Sequence, residues 1–169
     1  MDVSIGEEER AIQAWVARGE IARAASHLVR EHGRCVLAAC TAIVRDRTLA
    51  EDVAQEVFSA AFAALPGFRG DAKVRTWLLG IARNRAIDHL RAARRAPLVD
   101  DVAELEDAPA EAPLPADLLS DRRRVEAALA ELGEADRALV VLRYRNGLEL
   151  AELAEAFGLR EGTVRMRLS

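Results

Sequence analysis

Apolar residues recur at three- and four-residue steps along most of this chain, the spacing of a single helix face. Two such stretches, residues 7–17 and 20–32, precede a short and very apolar one at 34–44. A fourth, residues 49–64, follows Thr48, an N-cap candidate, with Glu51 three residues on to complete a capping box. Pro66 and Gly67 end that helix. A long one is expected from about residue 72 to 95, started by Asp71 and stopped by Pro97. Further on, Val125, Leu129 and Leu132 mark one helix. Ala138, Val141, Leu142 and Tyr144 mark the next, closed by Asn146-Gly147.

Composition agrees with that pattern. Ala, Leu, Arg and Glu dominate the 169 residues, a mixture that favours helix throughout. The stretch 98–121 breaks it, with eight acidic residues, no basic ones and three prolines, Pro109, Pro113 and Pro115. Such a composition cannot bury a core and reads as an extended linker. The expected fold class is all-α: two small helical domains, 1–97 and 122–169, joined by an acidic, proline-containing linker at 98–121.

The net charge of −4 conceals a segregation that matters more. Residues 67–97 carry 8 basic and 2 acidic side chains, beside the wholly acidic 98–121. Polyanion binding follows the local patch, not the total. No run of about 18 uncharged apolar residues is present, so nothing is expected to insert in a membrane. The acidic start, residues 1–10, lacks an apolar signal core, and a cytoplasmic protein is expected. Cys35 and Cys40, with His32, raise the question of a metal site or a redox switch. Five residues apart on a helix sets the two sulfurs about 140° apart, which suits neither chelation nor an intrahelical disulfide. Buried, reduced thiols are the expectation, with no metal or cofactor.

Residues 149–169 fit a helix-turn-helix. Ala154 is the small residue where two helices cross, and Gly158 is the flexible one in the turn. Leu150, Leu153, Phe157, Leu159, Val164 and Leu168 would form the shared core. Thr163, Arg165, Met166 and Arg167 would then face outward, where a major groove is read. A plain helical hairpin shares the periodicity, but the Ala-Gly-Val spacing and paired arginines favour DNA.

The basic helix is more distinctive. On a helical wheel Lys73, Trp77, Asn84, Asp88, Arg91 and Arg95 fall within about 60° of one another, with Gly80 bordering the stripe. Leu78, Leu79, Ala82, Ala86, Leu90 and Ala93 form the opposite, core face, while Arg83 and Arg85 solvate the flanks. Cations with an amide suit phosphate contact plus base readout. Trp77 is expected to pack at the stripe's edge rather than stack on a base. The loop Phe68, Arg69, Gly70, Asp71 reads either as a simple turn or as a pocket for an unstacked base. On the helix 49–64, Val53, Val57, Ala60, Ala61 and Ala64 face inward, and Asp52, Gln55, Glu56 and Ser59 stay outside. Charge alone would make that outer face merely solvated.

The segment AEDVAQEVFSAAFAALPGFRGDAKVRTWLLGIARNRAIDHLRAARR resembles region 2 of the sigma factors of bacterial RNA polymerase, specifically the extracytoplasmic-function (ECF) subfamily. LVVLRYRNGLELAELAEAFGLREGTVRMRLS resembles region 4. With the first helices, the likeness covers nearly all of the chain outside its tips and linker. It implies that Asp52, Gln55, Glu56 and Phe58 dock on the clamp helices of the polymerase beta-prime subunit, the alternative for Phe58 being the core of its own domain. It implies that Phe68, Arg69, Gly70 and Asp71 capture a flipped base of the non-template strand, with Asn84 reading the −10 element and Lys73, Arg91 and Arg95 beside it. Arg165 and Arg167, with Thr163 and Met166, would enter the −35 major groove. The linker resembles the segment that threads through polymerase. Core RNA polymerase, promoter DNA and an anti-sigma factor are the partners the likeness implies.

The sequence departs from the pattern twice. It stops at Ser169, where the family's recognition helix continues; from Glu161 a helix spans only about 13 Å, so truncation or a weak −35 grip is expected. Asp88 sets an anion in the stripe, where it would orient Arg91. The expected role is a promoter-specificity subunit and not an enzyme, since no His/carboxylate pair, nucleophile elbow, phosphate loop or metal set is visible. The rivals are a stand-alone helix-turn-helix regulator and a truncated polymerase-binding decoy.

Overall fold

The computed structural model describes residues 6–95 and 116–169, and among them every regular element is a helix. Helix α1 (Glu7–Ala17) leads into α2 (Ile21–Val44), a single helix of 24 residues. The sequence pattern predicts a break near Gly33, and none occurs. Leu28, His32, Val36, Ala39, Cys40 and Ile43 form one uninterrupted buried row. Burying that row outweighs the roughly 1 kcal/mol that a mid-helix glycine costs. Arg45 ends the helix in the left-handed region, φ 62°, its N–H donating to the Thr41 carbonyl at 2.8 Å.

Helix α3 (Arg47–Ala64) starts two residues before its expected beginning. Asp46, not Thr48, is the cap, its carboxylate accepting from the Leu49 N–H at 2.7 Å. Aspartate ranks with the strongest N-caps. The earlier start also lets Arg47 reach Glu51 at 3.2 Å, which takes Glu51 out of the expected capping box. A 3₁₀ turn, Leu65–Gly67, follows, and then α4 (Val74–Arg95).

Helices α2, α3 and α4 pack around Val36, Ile43, Val53, Val57, Leu78 and Leu79. Ala39, Ala50, Ala61, Ala82 and Ala86 are fully buried between them, and such small residues let the helix axes approach closely. Ile12 of α1 adds to this core. At the edges the expected core face is too wide. Ala64 and Ala93 are exposed and Leu90 is half-buried, all three near the ends of their helices.

The second module comprises α5 (Ala116–Glu131), α6 (Glu134–Val140) with a π-helical turn at Val141–Arg145, α7 (Leu150–Phe157) and α8 (Glu161–Arg167). Helix α5 begins inside the stretch read as linker; residues 98–115 of that stretch, with its prolines, lie outside the described residues. Two expected core positions are not core. Tyr144 is exposed because the π turn, closed by Asn146 N–H to Val141 O at 3.2 Å, winds it off the face that carries Val141 and Leu142. Val125 is exposed because α5 gains neighbours only near its end, where Leu129 and Leu132 are half-buried.

The two modules pack on each other, and the buried residues of both form one continuous apolar cluster. Helix α4 lies against α7 and α6, and α2 against α6 and the π turn. Arg137 on α6 joins them. Its guanidinium donates to the carbonyls of Leu129 at 2.9 Å and Leu132 at 3.0 Å, at the end of α5, and to Ile43 of α2 at 3.0 Å. None of the described helices is long and apolar enough to cross a membrane.

Candidate nucleic-acid interface

Helix α4 presents the cationic face as predicted in most respects. Lys73, Asn84, Asp88, Arg91 and Arg95 are exposed along it. Trp77 is half-buried, its ring 5.0 Å from that of Phe68 and tilted by 42°. The indole is thus a wall for Phe68 at the stripe's edge. The loop before α4 turns at Gly70, whose φ of 73° suits glycine. Beside it Arg69 and Asp71 pair at 3.3 Å with both side chains exposed.

Asp71 does not start α4. The Val74 N–H instead donates to the carboxylate of Glu9, a buried residue of α1, at 2.8 Å. One turn along α1, the Gln13 amide donates to the Arg69 carbonyl. The sequence hid both contacts. Glu9 is the third of three consecutive glutamates, and nothing local separates a buried one from its exposed neighbours.

Arg83 is the clearest correction on α4. It does not solvate a flank; its guanidinium lies over the Phe157 ring, 4.4 Å from the centroid, and donates to the Asn84 side-chain oxygen at 2.6 Å. Burial lowers its pKa, although a guanidinium stays charged at any physiological pH.

That contact belongs to a wider seam. Lys73 Nζ is 2.9 Å from Glu152 Oε1 on α7, and the Thr76 hydroxyl donates to the same oxygen at 3.4 Å. Gly80 leaves room for α7, since a Cβ built there would lie 3.6 Å from the Ala156 backbone. Burial alone would raise the Glu152 carboxyl. The Glu149 N–H, Lys73 and Thr76 together hold it below the usual carboxylate range. The partnership with Glu152 raises the Lys73 ammonium. A shallow cleft of about 220 Å³ remains between the helices, with Trp77, Gly80 and Asn84 on one wall and Glu155 and Ala156 on the other.

The acidic face of α3 is exposed at Asp52, Gln55, Glu56 and Ser59. Phe58 is half-buried, its ring 6.0 Å from that of Phe62. Glu56 also pairs with His89 of α4 at 3.0 Å, so the acidic and basic helices are tied together. That pair, and the Glu8 carboxylate between His27 at 2.9 Å and His32 at 2.8 Å, correct the expectation that no His/carboxylate pair exists. Each joins two helices, and the long separations along the chain concealed them.

In the helix-turn-helix, Leu153, Phe157 and Val164 are buried, while Leu150, Leu159 and Leu168 are half-buried. Gly158 caps α7 in the left-handed region, φ 61°. Arg165 and Met166 project into solvent from α8, Thr163 is half-buried, and Arg167 lies 3.4 Å from Asp136. Cys40 is buried, whereas Cys35 is half-buried against the second module, its sulfur accepting from the Asn146 amide at 3.2 Å.

Comparison with known proteins places both modules. Residues 28–96 match sigma-70 region 2, and residues 122–169 match sigma-70 region 4. The RNA polymerase sigma-H factor of Pseudomonas aeruginosa is 35% identical, over 96% of this chain and 89% of its own. The ECF RNA polymerase sigma factor SigL of Mycobacterium tuberculosis is 32% identical, over 83% of this chain and 80% of its own. A probable RNA polymerase sigma factor, RfaY of Xanthomonas campestris, is 33% identical, but the match spans only 40% of that longer protein. Among solved structures, CnrH in complex with the cytosolic domain of CnrY superimposes with a TM-score of 0.69 at 28% identity, covering 96% of this chain and 90% of that one. RpoE of Bartonella quintana, solved with the anti-sigma factor NepR, shares the fold at a TM-score of 0.68 and 21% identity, over 85% of this chain and 88% of that one. The chain belongs to the sigma-70 family of RNA polymerase sigma factors, in its ECF branch.

Proposed function

We propose that this chain binds core RNA polymerase in the cytoplasm and directs promoter-specific initiation, the catalytic chemistry being the polymerase's own. The observation that carries the reading is the pairing of two opposite surfaces in one module: the exposed carboxylates of α3 and the exposed cations of α4, tied by Glu56 and His89. Asp52, Gln55 and Glu56, with the edge of Phe58, would meet the beta-prime clamp helices. Phe68, Arg69, Gly70 and Asp71 would take an unstacked −10 base, and Asn84 would read a base edge, while Lys73, Arg91 and Arg95 neutralise phosphates. Thr163, Arg165, Met166 and Arg167 would face the −35 groove.

Helix α7 lies along the first half of α4, and Glu152 occupies the Lys73 ammonium. Promoter contact through Lys73 therefore competes with this pair. An anti-sigma factor is a natural partner, since one similar fold is solved with the anti-sigma factor NepR and another with the cytosolic domain of CnrY.

Run-off transcription with core polymerase on genomic fragments tests the whole reading. Defined start points are expected only when the chain is added, and none at any fragment would overturn it. A duplex footprint without polymerase would favour the stand-alone regulator. Polymerase binding without transcripts would favour the decoy. Asp52→Arg combined with Glu56→Arg is expected to weaken recovery of core enzyme, and full recovery would reject that docking face.

A further inference from the structure

We infer that Glu9 and Gln13 are positioning residues for promoter-strand capture, holding the backbone of the loop at 68–71 in the shape that receives an unstacked base. This rests on the proposed role of that loop. Helix α1 lies outside the segment that matches region 2, residues 28–96, yet it holds the chain within the loop, at Arg69, and just past it, at Val74 where α4 begins. Past the loop, Glu9 Oε1 accepts from the Val74 N–H at 2.8 Å. Within it, the Gln13 amide donates to the Arg69 carbonyl. The two residues are four apart, on one face of α1, with fully buried Ile12 beside them.

The Glu9 carboxylate has been given this place by its surroundings. It is only 5% exposed, and a Cβ on Gly6 would run into its second oxygen. An anion there also faces the amide end of α4, where the helix dipole favours negative charge. What the grip fixes is backbone, and what it leaves free is side chain. Arg69 and Asp71 are 84% and 74% exposed, and Phe68 rests on Trp77. A loop fixed in advance needs no ordering when it takes a base, so loss of the grip slows capture and blurs base choice without touching DNA contacts.

The test uses the full chain with core polymerase, on one promoter as intact duplex and as a template already unpaired at −10. Strand opening is read by the fluorescence of a 2-aminopurine placed beside the captured position, with every base tried at the captured position itself. Glu9→Ala and Gln13→Ala are expected to open the duplex about tenfold more slowly and to lose base preference at the captured position, with less effect on the unpaired template. Glu9→Gln keeps an oxygen for the Val74 N–H and is expected to restore most of the preference. Core-enzyme recovery should not change. Should Glu9→Ala fail to fold, Gln13→Ala, at a half-buried surface position, carries the test by itself. Wild-type opening and preference in the folded variants would overturn the inference, provided Phe68→Ala is impaired. If Phe68→Ala is equally unimpaired, it is the reading of the loop that falls.

Discussion

The Lys73 ammonium lies 2.9 Å from the Glu152 carboxylate, so a cation of the proposed DNA stripe is already met by an anion of the other module. Lys73 is well exposed, at 72%, and an exposed pair contributes only about 0.2–1 kcal/mol, screened further by salt. Glu152→Gln is therefore expected to shift the ratio of open to closed molecules a few-fold. Energy transfer between one dye on α3 and one on α8 would measure it, and raised salt should move the wild type in the same direction.

The pH dependence of that seam has a definite sign. The Glu152 carboxyl titrates below its usual range in the folded chain, so its contribution is present at neutral pH and lost as pH falls through the depressed value. The Lys73 ammonium titrates above its usual range, so its contribution holds below the ordinary lysine value and is lost only in strong alkali. The same energy-transfer signal should be flat across neutral pH and change only in acid, below the usual carboxylate range, and in strong alkali, above the usual lysine range. A midpoint near neutrality would show that another group governs closure.

Gly80 should tolerate one methyl group and nothing larger. Its Cβ would sit at ordinary contact distance from Ala156, and alanine improves helix propensity by about 0.5–1 kcal/mol. Gly80→Ala is expected to keep the modules closed at equal or higher stability. Gly80→Leu should wedge α7 off α4 and enlarge the radius of gyration in small-angle scattering.

Arg137 holds carbonyls at the ends of helices from both modules. Arg137→Ala would leave them without that donor, at a cost of about 1–3 kcal/mol. Lysine lacks the planar fork, so Arg137→Lys should recover little. Urea unfolding would check both.

The two thiols should behave differently. Burial pushes Cys40 up to about 12, so it remains a thiol at pH 8 and should resist alkylation until the protein unfolds. Cys35 is half-buried, and mass spectrometry of native protein after iodoacetamide should find any modification there first.

Much of this was legible in the chain. The basic stripe on α4, the exposed carboxylates of α3 and the Gly158 turn all follow from period and local chemistry, whereas the continuity of α2 through Gly33 does not. Local cues failed where two good choices stood side by side, as with Asp46 and Thr48 before α3. They failed again where winding changed, as at Tyr144 in the π turn.

By itself the sequence determined the helices, their apolar faces and the division of charge, because these depend on neighbours a few residues away. Only the tertiary structure decided that Glu9 caps α4, that Arg83 lies on Phe157, and that Glu152 meets Lys73. Those partners are separated by 65, 74 and 79 positions, and glutamate or arginine looks the same in a string whether it faces water or another helix. What selects the partner is the packing of Ile12 and of Gly80 against Ala156, which sets the distance between surfaces and so chooses which charges meet.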